Sequence, residues 1–256
     1  MADKSIPLRE PAISSALFLV AVFAVGLLSG GTAAVIGFGI GSLLTPLLTL
    51  RMSPDLAIAV VSLPHLLATA VRYTRHASAV HRPTFVRFGL WSAMGGLAGA
   101  LLQAALSGRI LLAVLGVLLL ATGVASVTSG FGGRRPPPRV ALALGLLSGL
   151  FGGLAGNQGG LRAAGLLAFD LPPRAFLATS TAVALLVDLA RTPVYLTRAG
   201  AELRDLALPI VIAAVGCLVG TLWGERLLGR MSAVAYRRVV GAGVAAVGLW
   251  LLGRAL

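Results

Sequence analysis

The chain has 256 residues, 57% of them hydrophobic and only 11% charged, where soluble domains carry about 25% charged residues. A water-soluble core of this length does not need so much apolar surface, so the composition excludes a soluble enzyme. It fits an all-α, polytopic integral membrane helical bundle of about eight spans. The net charge of +13 comes from 21 basic residues, all arginine except Lys4. They sit mostly between apolar segments, as loop cations do beside anionic headgroups, so the expected partner is a lipid bilayer and no nucleic acid.

Met1–Pro11 balances Lys4 and Arg9 against Asp3 and Glu10 and has no evident small-residue cleavage site. The first apolar segment is therefore expected to be a retained span. Residues 11–50 then run without a charge. A straight helix of that length would reach roughly 60 Å, about twice the hydrocarbon core. The segment must cross, break and continue. The expected break is Gly37-Phe-Gly-Ile-Gly41, where alternate glycines remove the steric cost of unwinding.

Further spans are predicted at 55–74, 84–106 and 110–128. Ser129–Pro138 is a Gly/Pro/Arg linker whose three prolines cannot continue a helix. Beyond it come 139–157 with a broken continuation to Phe169, then 174–196, 205–228 and 234–253. The lone Cys217 excludes an intramolecular disulfide.

The linker separates two halves, 1–133 and 134–256, that resemble each other. Gly26-Leu-Leu-Ser-Gly30 recurs as Gly145-Leu-Leu-Ser-Gly149, a shift of 119. The same shift lays Gly37–Gly41 on Gly156–Gly160, Pro54 on Pro173, Ser62 on Thr181 and Arg72 on Arg191. Two inserted residues later, Gly95–Gly99 matches Gly216–Gly220, and Gly108-Arg109 matches Gly229-Arg230. Loop charge reverses between the halves. Arg72, Arg75, Arg82 and Arg87 crowd one loop of the first half. Arg226, Arg230, Arg237 and Arg238 crowd the following loop of the second. An inverted repeat would show this reversal, provided the pieces after each break count as crossings; re-entrant loops would leave the halves parallel. Inversion is slightly favoured.

Paired broken helices at matching positions point to a transporter binding site. Unwound segments aim backbone N–H groups inward and attract anions. The candidate set is Gly37, Gly39, Gly41, Gly156, Asn157, Gln158, Gly159, Gly160 and Arg162. The amides of Asn157 and Gln158 and the planar fork of Arg162 suit an oxyanion. The competing readings are close helix packing for the glycines and snorkelling for Arg162.

Thr179, Ser180 and Thr181 put three hydroxyls in succession on a span, to line the pocket or to bond back to their own helix. Asp188 and Arg191 stand three apart and can pair on one helical face, as a structural ion pair or a proton-coupling group. His65 is read as a neutral, hydrogen-bonded packing residue or as a proton relay. Arg72 is expected at the interface, and Trp91, Trp223 and Trp250 in the aromatic belt or in packing. No metal-ligand spacing, G-x-S-x-G or nucleotide-binding loop occurs, so no enzyme activity and no cofactor is expected.

The Gly37–Pro46 break, the segment Gly156-Asn-Gln-Gly-Gly-Leu-Arg162, the helix Ala178-Thr-Ser-Thr-Ala182 and the run Val187-Asp-Leu-Ala-Arg-Thr-Pro-Val-Tyr195 together resemble the TauE/SafE sulfite exporter family, also called the toluene sulfonate uptake permease family. The likeness spans nearly the whole chain. It implies a multi-pass bacterial inner-membrane permease for small anions, chiefly sulfite, sulfonates or sulfoacetate. Phe38 and Ile40 depart from the fuller glycine run of the group, and the first half offers only Ser62 and His65 opposite Ala178–Thr181.

The expected function is thus a gradient-driven anion carrier. Its partners would be a small anion, a coupling ion (proton or sodium) and, in one arrangement, a second copy as a homodimer. The alternative is a membrane enzyme or flippase acting on an anionic lipid headgroup.

Overall fold

The computed structural model describes residues 15–128, 136–157, 159–228 and 233–256, with backbone only at 225–228 and 233. The expectations for the N-terminal stretch, for linker residues 129–135, for Gln158 and for the side chains of Arg226 and Arg230 lie outside the described residues. Among the described residues there are ten α-helices and no strand. They are α1 Ser15–Ile36, α2 Ile40–Leu48, α3 Pro54–His76, α4 Arg82–Gln103, α5 Gly108–Thr128, α6 Pro138–Ala155, α7 Gly159–Leu166, α8 Pro173–Asp205, α9 Ala207–Leu228 and α10 Ala233–Ala255. Eight of them are long and apolar enough to span a membrane; α2 and α7 are the short pieces that follow the two breaks.

The local reasons are visible in the chain. Prolines open α3, α4, α6 and α8 at their first or second positions, where the missing N–H has no intrahelical partner to lose. The first break is narrower than the glycine run, covering Gly37–Gly39 with φ of 84° at Gly37 and 141° at Gly39. Ile40 and Gly41 already belong to α2. In the second half Gly156 ends α6 in the left-handed region, φ 70°, and Gly159 and Gly160 already belong to α7. Helix α8 is the largest departure from expectation. It runs 33 residues, past the predicted end at 196, with a bend at Ala199. Arg198 holds the extension by donating to the carbonyls of Ala100 and Leu101 at 2.9 and 3.1 Å, which satisfies the last turn of α4.

The tightest pairings are α1 with α9, α4 with α6 and α5 with α10. They are glycine contacts. A Cβ on Gly30 would strike the Cys217 backbone, and one on Gly220 the Leu27 carbonyl. A Cβ on Gly149 would strike Ser92, and one on Gly153 the Gly96 carbonyl. Lipid tails offer no hydrophobic gain for helix association, so close backbone approach has to supply the contact energy. The Gly-Leu-Leu-Ser-Gly pentapeptide of each half thus packs on the glycines of the other half's fourth helix. Exchanging α1–α5 for α6–α10 turns α1·α9 into α6·α4, α3·α9 into α8·α4 and α2·α3 into α7·α8, all of them observed, while α3·α8 and α5·α10 map onto themselves.

Contacts also fix the directions. Gly26 lies on Ala213 and Gly30 on Cys217, so α1 and α9 run parallel; Gly149 on Ser92 and Gly153 on Gly96 make α4 and α6 parallel. Gly116 meets Gly248 while Gly123 meets Gly241, so α5 and α10 are antiparallel. His65 meets Asp188 while His81 meets Thr179, so α3 and α8 are antiparallel as well. Arg51 stacks on Phe18 at 4.4 Å and Arg72 reaches the Ala33 carbonyl. Helices α1 and α3 therefore run the same way, and α2 carries the chain back between them. In the second half Gly165 returns to the Ala141 carbonyl while Arg191 reaches that of Gly152, the same hairpin in α6, α7 and α8. Outward faces carry exposed Leu17, Val20, Leu28, Met94, Leu208 and Trp250, a surface suited to lipid.

Candidate functional site

The two breaks lie against each other in the middle of the bundle. A Cβ on Gly41 would fall on the Gly156 carbonyl, and one on Gly159 on the Cβ of Phe38. Only glycine admits this crossing, so the alternate glycines serve packing as well as unwinding.

Around the crossing stand three buried arginines. Arg162 is 2% exposed, Arg72 5% and Arg191 1%. Arg162, on α7, donates from Nε to Ser180 Oγ at 2.9 Å and from Nη2 to the Gly37 carbonyl at 3.2 Å; its Nη1 is buried without a partner. Arg72, on α3, donates to the Ala33 carbonyl and, at 3.3 Å, to Thr69 Oγ1, while its Nε has no partner. The two side chains therefore grip carbonyls four residues apart, Ala33 in the last turn of α1 and Gly37 just past its end. Cations there suit the negative end of the helix dipole.

Arg191 pairs with Asp188, Nε to Oδ1 at 3.0 Å and Nη2 to Oδ1 at 2.9 Å, and also donates to the Gly152 carbonyl. The second carboxylate oxygen accepts from His65 Nδ1 at 2.6 Å, and Thr69 Oγ1 lies 3.4 Å from the same nitrogen. Asp188 is fully buried and holds both partners, so His65 is a buried histidine hydrogen-bonded to the carboxylate that Arg191 also engages. Tyr195 closes it by donating to the Gly153 carbonyl.

The second break adds Asn157, 5% exposed, whose Nδ2 has no partner. Of the three successive hydroxyls, only Ser180 meets Arg162. Thr179 accepts from the His81 backbone N–H at 3.0 Å, and Thr181 is buried on a third side of α8. Neighbours on a helix are about 100° apart, so the three hydroxyls face three directions. A cleft of about 300 Å³ beside the α3–α4 turn is lined by Tyr73, Arg82, Phe85 and Ala182 among others.

Arg72 is the residue that the span pattern misplaced at the interface. Its position near a helix end hid it; the shift of 119 that pairs it with Arg191 was the signal. The shift holds atom by atom: Arg72 to Ala33 O and Arg191 to Gly152 O are the same hydrogen bond, 119 residues apart at both ends.

Residues 22–251 match the family described as Sulfite exporter TauE/SafE. The chain belongs to the TauE/SafE sulfite exporter family. That membership makes it a multi-pass membrane transporter of sulfur anions, of a family of transporters and not enzymes. No curated protein and no solved structure matches the chain.

Proposed function

We propose that this protein is a gradient-driven secondary carrier of small sulfur oxyanions, such as sulfite, sulfonates or sulfoacetate, in a bacterial inner membrane. One observation carries the reading: among the described residues, three buried arginines and a single buried carboxylate surround the paired breaks, with Arg162 Nη1 and Asn157 Nδ2 left unsatisfied. Unpaired charge in such a setting costs several kcal/mol. An anion would remove that cost, and intramembrane charge generally marks a transport path.

In this mechanism Arg162 and Asn157 hold the oxyanion, with Gln158 beside them. The freed amides around Gly37–Gly41 and Gly156–Gly160 complete the nest, and Ser180 steadies Arg162. Arg162 supplies a planar fork for two oxygens at once. Asp188 and His65 carry the coupling ion, proton or sodium. The halves 1–133 and 134–256 act as inverted repeats that rock about the crossing so that the site opens to each side in turn. The support for inversion is the antiparallel contact of α3 with α8 and of α5 with α10. A homodimer, if formed, would use the lipid-facing surface and leave this site within each copy.

The test is uptake of radiolabelled sulfite into proteoliposomes. Arg162→Ala should reduce flux to the level of empty vesicles while the protein keeps its elution profile. Wild-type flux from that variant would remove the site.

A further inference from the structure

Among the differences between the two halves in the crossed-break cluster, one removes a counter-ion. Arg191 is neutralised by Asp188 three residues before it. Shifted by 119, the same places are Arg72 and Thr69, and Thr69 occupies the geometry of Asp188: it accepts from Arg72 as Asp188 accepts from Arg191. The first half therefore keeps the arginine and its carbonyl clamp but has a hydroxyl where the second half has the counter-ion. Arg72 is buried, its Nε lacks a partner, and the nearest carboxylate is already shared between His65 and Arg191. Arg162 grips the Gly37 carbonyl just past the end of α1, four residues beyond the Ala33 carbonyl that Arg72 holds.

We infer that Arg72 is a second anion-binding arm, left without its internal carboxylate so that the transported anion supplies the missing charge. This rests on the carrier reading above and names a residue that the reading does not use. Position 69 would then set affinity: a hydroxyl leaves Arg72 free for the substrate, whereas a carboxylate would satisfy it permanently.

The experiment puts into the first half what the second half already contains. Thr69→Asp keeps an acceptor for Arg72 and recreates a pair that the fold accommodates at Asp188–Arg191. The half-saturating sulfite concentration should rise about tenfold or more, because an internal counter-ion competes with the substrate for a desolvated charge. Thr69→Val, which adds no charge, should stay within about threefold of wild type on the same grounds. If Arg72 were only a clamp on Ala33, Thr69→Asp would raise the melting temperature and leave half-saturation unchanged; that result overturns the inference. Should Thr69→Asp fail to fold, Arg72→Gln decides, since it keeps two donors for the clamp: retained sulfite affinity overturns the proposal, and a similar rise supports it. Arg162→Ala, run alongside, separates the two failures. If it transports normally, the carrier site itself is wrong; if it is dead while Thr69→Asp is unaffected, only the role of Arg72 falls.

Discussion

Asp188 shows how much one side chain can organise inside an apolar bundle. It receives Arg191 on one oxygen and His65 on the other, so removing it would strand a buried guanidinium and a histidine together. Breaking such a pair from one side costs on the order of 3–5 kcal/mol. Asp188→Ala should therefore lower the melting temperature in detergent by many degrees, or abolish stable expression. Asp188→Asn should retain more stability, because its amide oxygen still accepts from Arg191. An Asp188→Ala protein with an unshifted melting curve would show that the pair contributes nothing. Arg162 differs in kind: its Nε and Nη2 have partners but its Nη1 does not, so its replacement should affect transport far more than folding.

At the level of elements, glycines are the means by which helices touch. The contacts α1·α9 and α4·α6 rest on backbone meeting backbone at Gly30 and Cys217 and at Gly149 and Ser92. Gly149→Val would drive two methyls into the Ser92 carbonyl, where no side chain can swing away. Overpacking of this sort costs typically 1–3 kcal/mol, occasionally more, and thermal melting should report at least that loss. Gly200, with nothing near it, is the control position, and valine there should leave the melt close to wild type. Gly41→Val would act differently, by prising the two breaks apart at Gly156. Its expected signature is lost sulfite flux at a protein yield that remains measurable.

For the molecule as a whole, the helix directions sort the surface charge. The turn after α3, the ends of α5 and α7, and the start of α10 emerge on one face, which carries Arg75, Arg82, Arg139, Arg174 and Arg238. The opposite face holds Arg51, Arg109, Arg204 and Arg254 diluted by Asp55, Glu202 and Asp205, whereas Asp170 stands on the first. Positive loops stay in the cytoplasm, so the first face should be cytoplasmic and the starts of α1 and α3 external. A membrane-impermeant maleimide on intact cells should then label Ser107→Cys and spare Ser78→Cys. Buried Cys217 should give little background. The reverse labelling pattern would invert the assignment. The same directions account for the reversal of loop charge along the sequence, since the ends of α3 and α9 lie on one side.

How far could the chain be read unaided? Apolar runs, glycine clusters and the 119-residue shift were sufficient for an all-helical bundle with eight long spans and two interrupted segments, because membrane crossing is dictated by length and hydropathy, which are local properties. The family match followed from motifs of the same local kind. The break limits shifted by a residue or two and α8 ran on to Asp205, since those ends depend on Arg198 finding carbonyls on α4. Tertiary structure alone decided which polar groups meet: that Arg72 is buried beside Arg162 rather than at the interface, that His65 joins Asp188 across 123 residues, and that Ser180 rather than Thr179 or Thr181 reaches Arg162. A one-dimensional pattern records how apolar each segment is, whereas the partner of a buried charge is set by which faces of separate helices are turned together.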